Sequence, residues 1–164
     1  MIVFCLFDLE TTYPFMSTFE QPKRFYVHGA TGTGKTFFAY QLAKKYGQEP
    51  YFKTTSGYWE NYNGQKVVVL DDVQPDQMQY LISLLPKWCD YHTFTTKEKR
   101  DPTGRVLIPP KSINPCNYIL LICSCYEPDD LFSGINAYTR AKLDRLLEYK
   151  HLNQDSIDEI KNMA

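Results

Sequence analysis

No stretch of this sequence approaches the ~20 consecutive apolar residues that a membrane-spanning helix requires, so no membrane partner is expected. Paired cysteines are lacking too. The five cysteines (Cys5, Cys89, Cys116, Cys123 and Cys125) are odd in number and show no Cys-x-x-Cys spacing. Free thiols in a reducing, intracellular compartment are therefore the expectation, rather than disulfides or zinc. His-x-His occurs nowhere, and the three histidines (His28, His92 and His151) are scattered. Sequence proximity assembles no metal site from them, and metal chemistry beyond Mg²⁺ has no support at this level. Charge of one sign is not in excess either: 18 Lys and Arg against 19 Asp and Glu leave a formal net charge of −1. Any surface that binds phosphates has to be local. Internal repeats and low-complexity runs are absent.

What is present suits a packed domain. The 164 residues are 43% apolar and 23% charged, enough for one core and against wholesale disorder. The start, Met1 to Phe7, is apolar but lacks a basic leader and runs into Asp8 and Glu10, so a signal peptide is not expected. A first strand, or a piece that packs on an upstream domain, fits better. Residues 1–22, broken by Pro14 and Pro22, read as a connecting arm, 23–153 as the folded domain and 154–164 as a tail, frayed or serving as an interaction stub.

Within the domain, Arg24-Phe-Tyr-Val-His28 is a short β-prone run ending at a glycine. Thr36 to Tyr46 reads as a helix with Phe37, Tyr40, Leu42, Ala43 and Tyr46 on one face, stopped by Gly47. Tyr51 and Phe52 begin a second strand. Lys66 to Leu70 and Tyr118 to Cys123 are continuous apolar runs suited to parallel strands buried on both faces. Gln77 to Trp88 has helical spacing, Thr93 to Lys111 reads as a hairpin with a polar tip at Arg100–Gly104, and Thr139 to Tyr149 as a closing helix. The order predicts an α/β fold with a mostly parallel sheet flanked by helices.

Between the first strand and first helix lies Gly29-Ala30-Thr31-Gly32-Thr33-Gly34-Lys35-Thr36, which fills the pattern G-x-x-x-x-G-K-[ST]. Glycines there let successive backbone N–H groups converge on phosphate oxygens at a helix N-terminus, whose dipole favours negative charge. Lys35 reaches the β- and γ-phosphates and the Thr36 hydroxyl ligates Mg²⁺. ATP with Mg²⁺ is the expected ligand. A carboxylate must help to hold the metal, and Asp71-Asp72, closing the run Val67 to Leu70, supplies it. Asp71 is assigned to Mg²⁺, through water, and Asp72 to polarising the attacking water; the two roles are exchangeable.

With these motifs placed, the chain resembles the superfamily-3 helicase domain, a P-loop NTPase of AAA+ type, found in replication initiator (Rep) proteins of small circular single-stranded DNA viruses such as circoviruses. The resemblance covers about residues 22–150. It is carried by Pro22 to Thr36, by Gly57-Tyr-Trp59-Glu-Asn-Tyr62-Asn-Gly64-Gln65 ahead of the acidic pair, and by Trp88-Cys-Asp-Tyr91 before the hairpin. It implies an ATP-driven helicase that translocates on single-stranded DNA as a homo-oligomeric, hexameric ring, in the host nucleus if the protein is viral. The hairpin would grip the DNA through Lys97, Lys99, Arg100, Arg105 and Lys111, five cations opposed by Glu98 and Asp101. An arginine from a late helix, Arg145 first and Arg140 second, would reach the neighbouring subunit's γ-phosphate.

Two departures from the family pattern stand out. Cys125 occupies the place of the asparagine that senses the γ-phosphate, and a thiol is a weak donor; either hydrolysis is slow or Ser124 takes over the contact. The upstream nuclease, with its paired histidines and tyrosine, has no room in residues 1–22, which makes the chain a stand-alone protein, a fragment, or one half of a pair with a separate nuclease partner. Two other functions stay open beside the helicase. One is a non-hydrolysing or weakly hydrolysing DNA-binding module, and the other a small P-loop phosphotransferase.

Overall fold

Three apolar runs alternate their side chains between two separate cores, and this alternation organises the molecule. The computed structural model describes residues 23–162; the arm at 1–22 and the last two residues lie outside it. Strand β1 (Arg24–His28), β2 (Tyr51–Phe52), β3 (Val67–Leu70), the later strand Ile119–Ser124 and the edge strand Glu148–His151 form one sheet in which every pairing is parallel. On one face, Tyr26, Val68, Leu70, Leu120 and Ile122 join Trp59, Leu81, Trp88, Phe132 and Leu143. On the other, Val27, Val67, Val69, Leu121 and Cys123 meet Phe38, Leu42, Leu152 and Ile160. Burial on both faces is why these strands read as unbroken apolar runs.

Helix α1 (Lys35–Lys44) follows β1. Its buried face is Phe38, Ala39, Leu42 and Ala43, so the face expected from Phe37, Tyr40 and Tyr46 is corrected: those three rings are exposed. The helix stops in turns closed by Gly47 at φ 66°. The region expected as one helix from Gln77 to Trp88 is two short ones, α2 (Met78–Leu81) and α3 (Leu85–Cys89), because Pro86 has no N–H and is tolerated only in a helix's first turn.

The hairpin is present in two stages. β4 (Phe94–Thr95) pairs antiparallel with β7 (Ser112–Ile113) at its base, and β5 (Lys99–Arg100) with β6 (Val106–Ile108) further out. After β8 (Ile119–Ser124) come α4 (Pro128–Leu131) and α5 (Ala137–Leu146). The closing helix was expected to run to Tyr149; it ends three residues earlier, and β9 (Glu148–His151) adds the edge strand beside β1. The segment after Asn153, expected to fray or act as a stub, forms α6 (Gln154–Lys161), started by a reciprocal Asn153–Ser156 capping box. Its Ile160 is fully buried in the α1 core; that apolar anchor, with the cap, holds the segment. The strand order is β2-β3-β8-β1-β9, so β8 lies between the strand feeding the glycine-rich loop and the strand ending in the two acids. None of the described helices is long and apolar enough to cross a membrane.

Candidate functional site

The loop from Gly29 to Thr36 begins where β1 ends, at the carboxyl edge of the parallel sheet, where open α/β folds place their ligands. Gly32 and Gly34 take φ of 84° and 89°, a region that residues with a Cβ rarely enter. Gly29 is required for another reason: a Cβ there would come within 2.2 Å of the Leu152 carbonyl oxygen. Thr33 closes the turn, its hydroxyl donating to Ala30 O at 2.8 Å. Lys35 Nζ curls back over the loop to donate to Gly29 O (2.6 Å) and Ala30 O (2.9 Å). No side chain caps the N-terminus of α1 and no acidic residue stands in its first turn. No side chain therefore offsets the positive dipole end of the helix.

The acids arrive from two strands away. Thr36 Oγ1 donates to Asp71 Oδ2 at 3.4 Å. Asp72 sits at φ 49°, a left-handed conformation that Asp tolerates better than most residues. Its N–H bonds Asp71 Oδ1 at 3.1 Å, and Gln74 Nε2 donates to its Oδ1 at 2.9 Å. Gln74 therefore orients Asp72, a role that no motif signals. Cys125 is exposed and its sulfur lies 3.5 Å from Thr31 Oγ1, beside the loop. Ser124 does not take over from it. That hydroxyl is fully buried, donates to Val73 O at 2.7 Å and accepts from Tyr126 N; it pins β8 to the end of β3.

The five hairpin cations have different surroundings. Lys111 Nζ donates to Tyr62 O at 2.6 Å and anchors the hairpin base. Arg100 pairs with Glu98 and donates to Gly104 O at 2.8 Å, bracing the tip. Asp101 Oδ1 collects Thr103 N, Thr103 Oγ1 and Arg105 N, which holds its carboxyl below the usual carboxylate range. Lys97, Lys99 and Arg105 are exposed. The Lys97 stem packs where a Cβ on Gly57 would be, and Lys99 Nζ stands 5.9 Å from the Tyr58 ring. The loop after β2 thus supports the hairpin.

That loop rests on Lys53, which sequence reasoning missed. Lys53 is 4% exposed, donates to Thr54 O and Ser56 O, and lies 4.8 Å from the Trp88 ring and 5.5 Å from Trp59. Burial lowers its pKa to about 8. A second buried cation, Arg24, donates to carbonyls of Cys89, Pro115 and Tyr118 and ties β1 to the hairpin's flanks. Trp59 and Tyr62, part of the family resemblance, are core residues stacked among Tyr51, Trp88, Phe94 and Tyr118. On α5, Arg140 is held by Asp129 and Asp144, while Arg145 is exposed and makes no ion pair among the described residues.

A parallel sheet flanked by helices, with a glycine-rich loop at its carboxyl edge facing two acids, defines an α/β fold consistent with the P-loop NTPase, helicase-like class. Residues 25–100 match the model of a family described as RNA helicase. Over 44 residues the chain is 41% identical to the replication-associated protein of Goose circovirus, a match spanning 27% of this chain and 14% of that protein's length.

Proposed function

We propose that this chain is an ATP-hydrolysing helicase module that binds ATP with Mg²⁺ and translocates on single-stranded DNA as a ring. The observation that carries the reading is the convergence of Lys35, Thr36 and Asp71 on the uncapped start of α1. The residues suit the nucleotide: the glycine-rich loop's N–H groups would face a triphosphate, and a hydroxyl and a carboxylate already in contact would face a divalent ion. Thr36 and Asp71 would hold Mg²⁺. When bound, that ion supplies charge neutralisation on the terminal phosphates.

In this reading Lys35 exchanges its two loop carbonyls for the β- and γ-phosphates. Asp72, held by Gln74, orients and takes a proton from the attacking water. Lys97, Lys99 and Arg105 meet the DNA backbone, and Lys111 and Arg100 keep the hairpin in shape. The free Arg145, rather than the engaged Arg140, serves a neighbouring subunit's site. The nuclear location, the division of the chain at residue 22 and a separate nuclease partner belong to the same proposal.

The position of Cys125 favours one second reading, a DNA-binding module that hydrolyses weakly, because a thiol stands beside the loop where a stronger donor is expected. One experiment separates the two: ATPase rate with and without single-stranded DNA for the native chain, Lys35→Ala and Cys125→Asn. DNA-stimulated turnover abolished by Lys35→Ala supports the helicase. Turnover only after Cys125→Asn supports the weak module, and turnover only with a small phosphate acceptor overturns both.

A further inference from the structure

Parallel pairing of β1 with β9 sets His28 directly opposite His151, although 123 residues separate them in the chain. Their rings lie 5.0 Å apart between centroids. Glu127, whose backbone starts α4, brings a carboxylate to the same point, with Oε2 3.4 Å from His28 Nδ1. One ligand atom from each of the three residues lies within 4.8 Å of the others. We propose that His28, His151 and Glu127 form a binding site for one divalent transition-metal ion of the zinc class, separate from the Mg²⁺ site at Thr36 and Asp71.

Two observations carry this. First, His28 is only 7% exposed and its Nδ1 is buried and makes no hydrogen bond. A buried polar atom left unpaired is costly, and a metal ion removes that cost. Second, the donor set suits the ion. Two imidazoles and a carboxylate select borderline divalent metals over Mg²⁺ or Ca²⁺, and Zn²⁺ sites with three protein ligands leave a fourth position to water.

Tetrahedral ligands at ~2.0–2.1 Å stand roughly 3.4 Å apart. Glu127 and His151 are exposed and free to close the remaining distance, whereas the His28 backbone is fixed by Leu152 N donating to His28 O at 2.7 Å. His28 immediately precedes Gly29, so an ion here would cross-link β1 to β9 at the entrance of the phosphate-binding loop.

The test is titration of the nucleotide-free, full chain with Co²⁺, a visible reporter for zinc-class sites, alongside Glu127→Gln, His151→Gln and Asp71→Asn. Both altered ligands are exposed, and circular dichroism checks that the variants fold. The expected result is one equivalent bound with a visible d–d band, at least ~100-fold weaker in Glu127→Gln and His151→Gln and unchanged in Asp71→Asn. Zn²⁺ should also raise the thermal midpoint of the native chain and not of those two ligand variants. Equal binding by the native chain and the two ligand variants overturns the site. So does a thiolate-to-cobalt charge-transfer band, or no band up to ~1 mM Co²⁺. Because no nucleotide is present, these outcomes are independent of whether the chain hydrolyses ATP.

Discussion

Thr36 at the head of α1 and Asp71 at the end of β3, 35 residues apart in the chain, meet with Oγ1 and Oδ2 3.4 Å apart. β3 does not adjoin β1, and β8 lies between them, so the contact depends on the sheet as a whole. Asp71→Asn keeps the shape and removes the charge. We expect turnover to fall by about two orders of magnitude while Mg²⁺-free nucleotide binding survives. ATPase rate beside binding of a fluorescent nucleotide checks this, and equal loss of both would make Asp71 a structural residue instead.

Ser124 and Cys125 are adjacent and predicted to behave differently. Ser124→Ala leaves the buried Val73 carbonyl without its donor, which should destabilise the fold by about 1–3 kcal/mol in urea unfolding. Cys125→Asn is exposed, should leave stability unchanged, and should raise the ATPase rate by presenting a stronger donor beside Thr31.

The hairpin cations should separate in salt titrations of single-stranded DNA binding. Lys99→Ala and Arg105→Ala each remove a free cation, so each should lower the slope of log K against log salt by about 0.7. Lys111→Ala removes an anchor on Tyr62 O. Its main effect should be on thermal stability, with the DNA slope little changed. A Lys111 slope change as large as that of Lys99 would reverse this assignment.

Lys53 predicts a pH dependence. Its folded pKa of about 8 lies below the ordinary lysine value of 10.5, so between those values the unfolded chain binds more protons than the native one. Stability from this group therefore rises as pH increases from about 8 towards 10.5, by an amount on the order of 2 kcal/mol. Above pH 10 the trend is opposed, since Tyr26 and Tyr51, raised by burial to about 12, stay protonated only in the fold. Denaturant midpoints at pH 7.5 and 9.5 should show the gain in the native chain and a flatter profile in Lys53→Met.

Gly29→Ala should cost about 3 kcal/mol or more, because its Cβ would overlap the Leu152 carbonyl. Gly32→Ala meets no neighbouring atom and carries only the strain of its positive φ. Thermal melts of the two variants should rank them in that order.

Local and periodic features were readable from sequence. The motif from Gly29 to Thr36, the buried strands read as ending at Leu70 and Cys123, and the hairpin each rest on contiguous residues whose chemistry restricts the backbone. The buried face of α1 was misread because Phe37, Tyr40 and Tyr46 are apolar in composition, yet the helix packs through Phe38 and Leu42. β9 was hidden because Glu148–His151 is polar and becomes a strand only by pairing with β1. α6 was hidden because one buried residue, Ile160, together with a cap decides it.

The sequence alone therefore determined the glycine-rich loop motif, the fold class and the cationic hairpin, since each is written in short runs with their own conformational preferences. Tertiary structure decided which acid meets Thr36, which hairpin cations are free, that Ser124 is a buried pin, and that two distant histidines become neighbours. Those relations depend on strand order and parallel register, which bring together residues that no spacing in the chain connects.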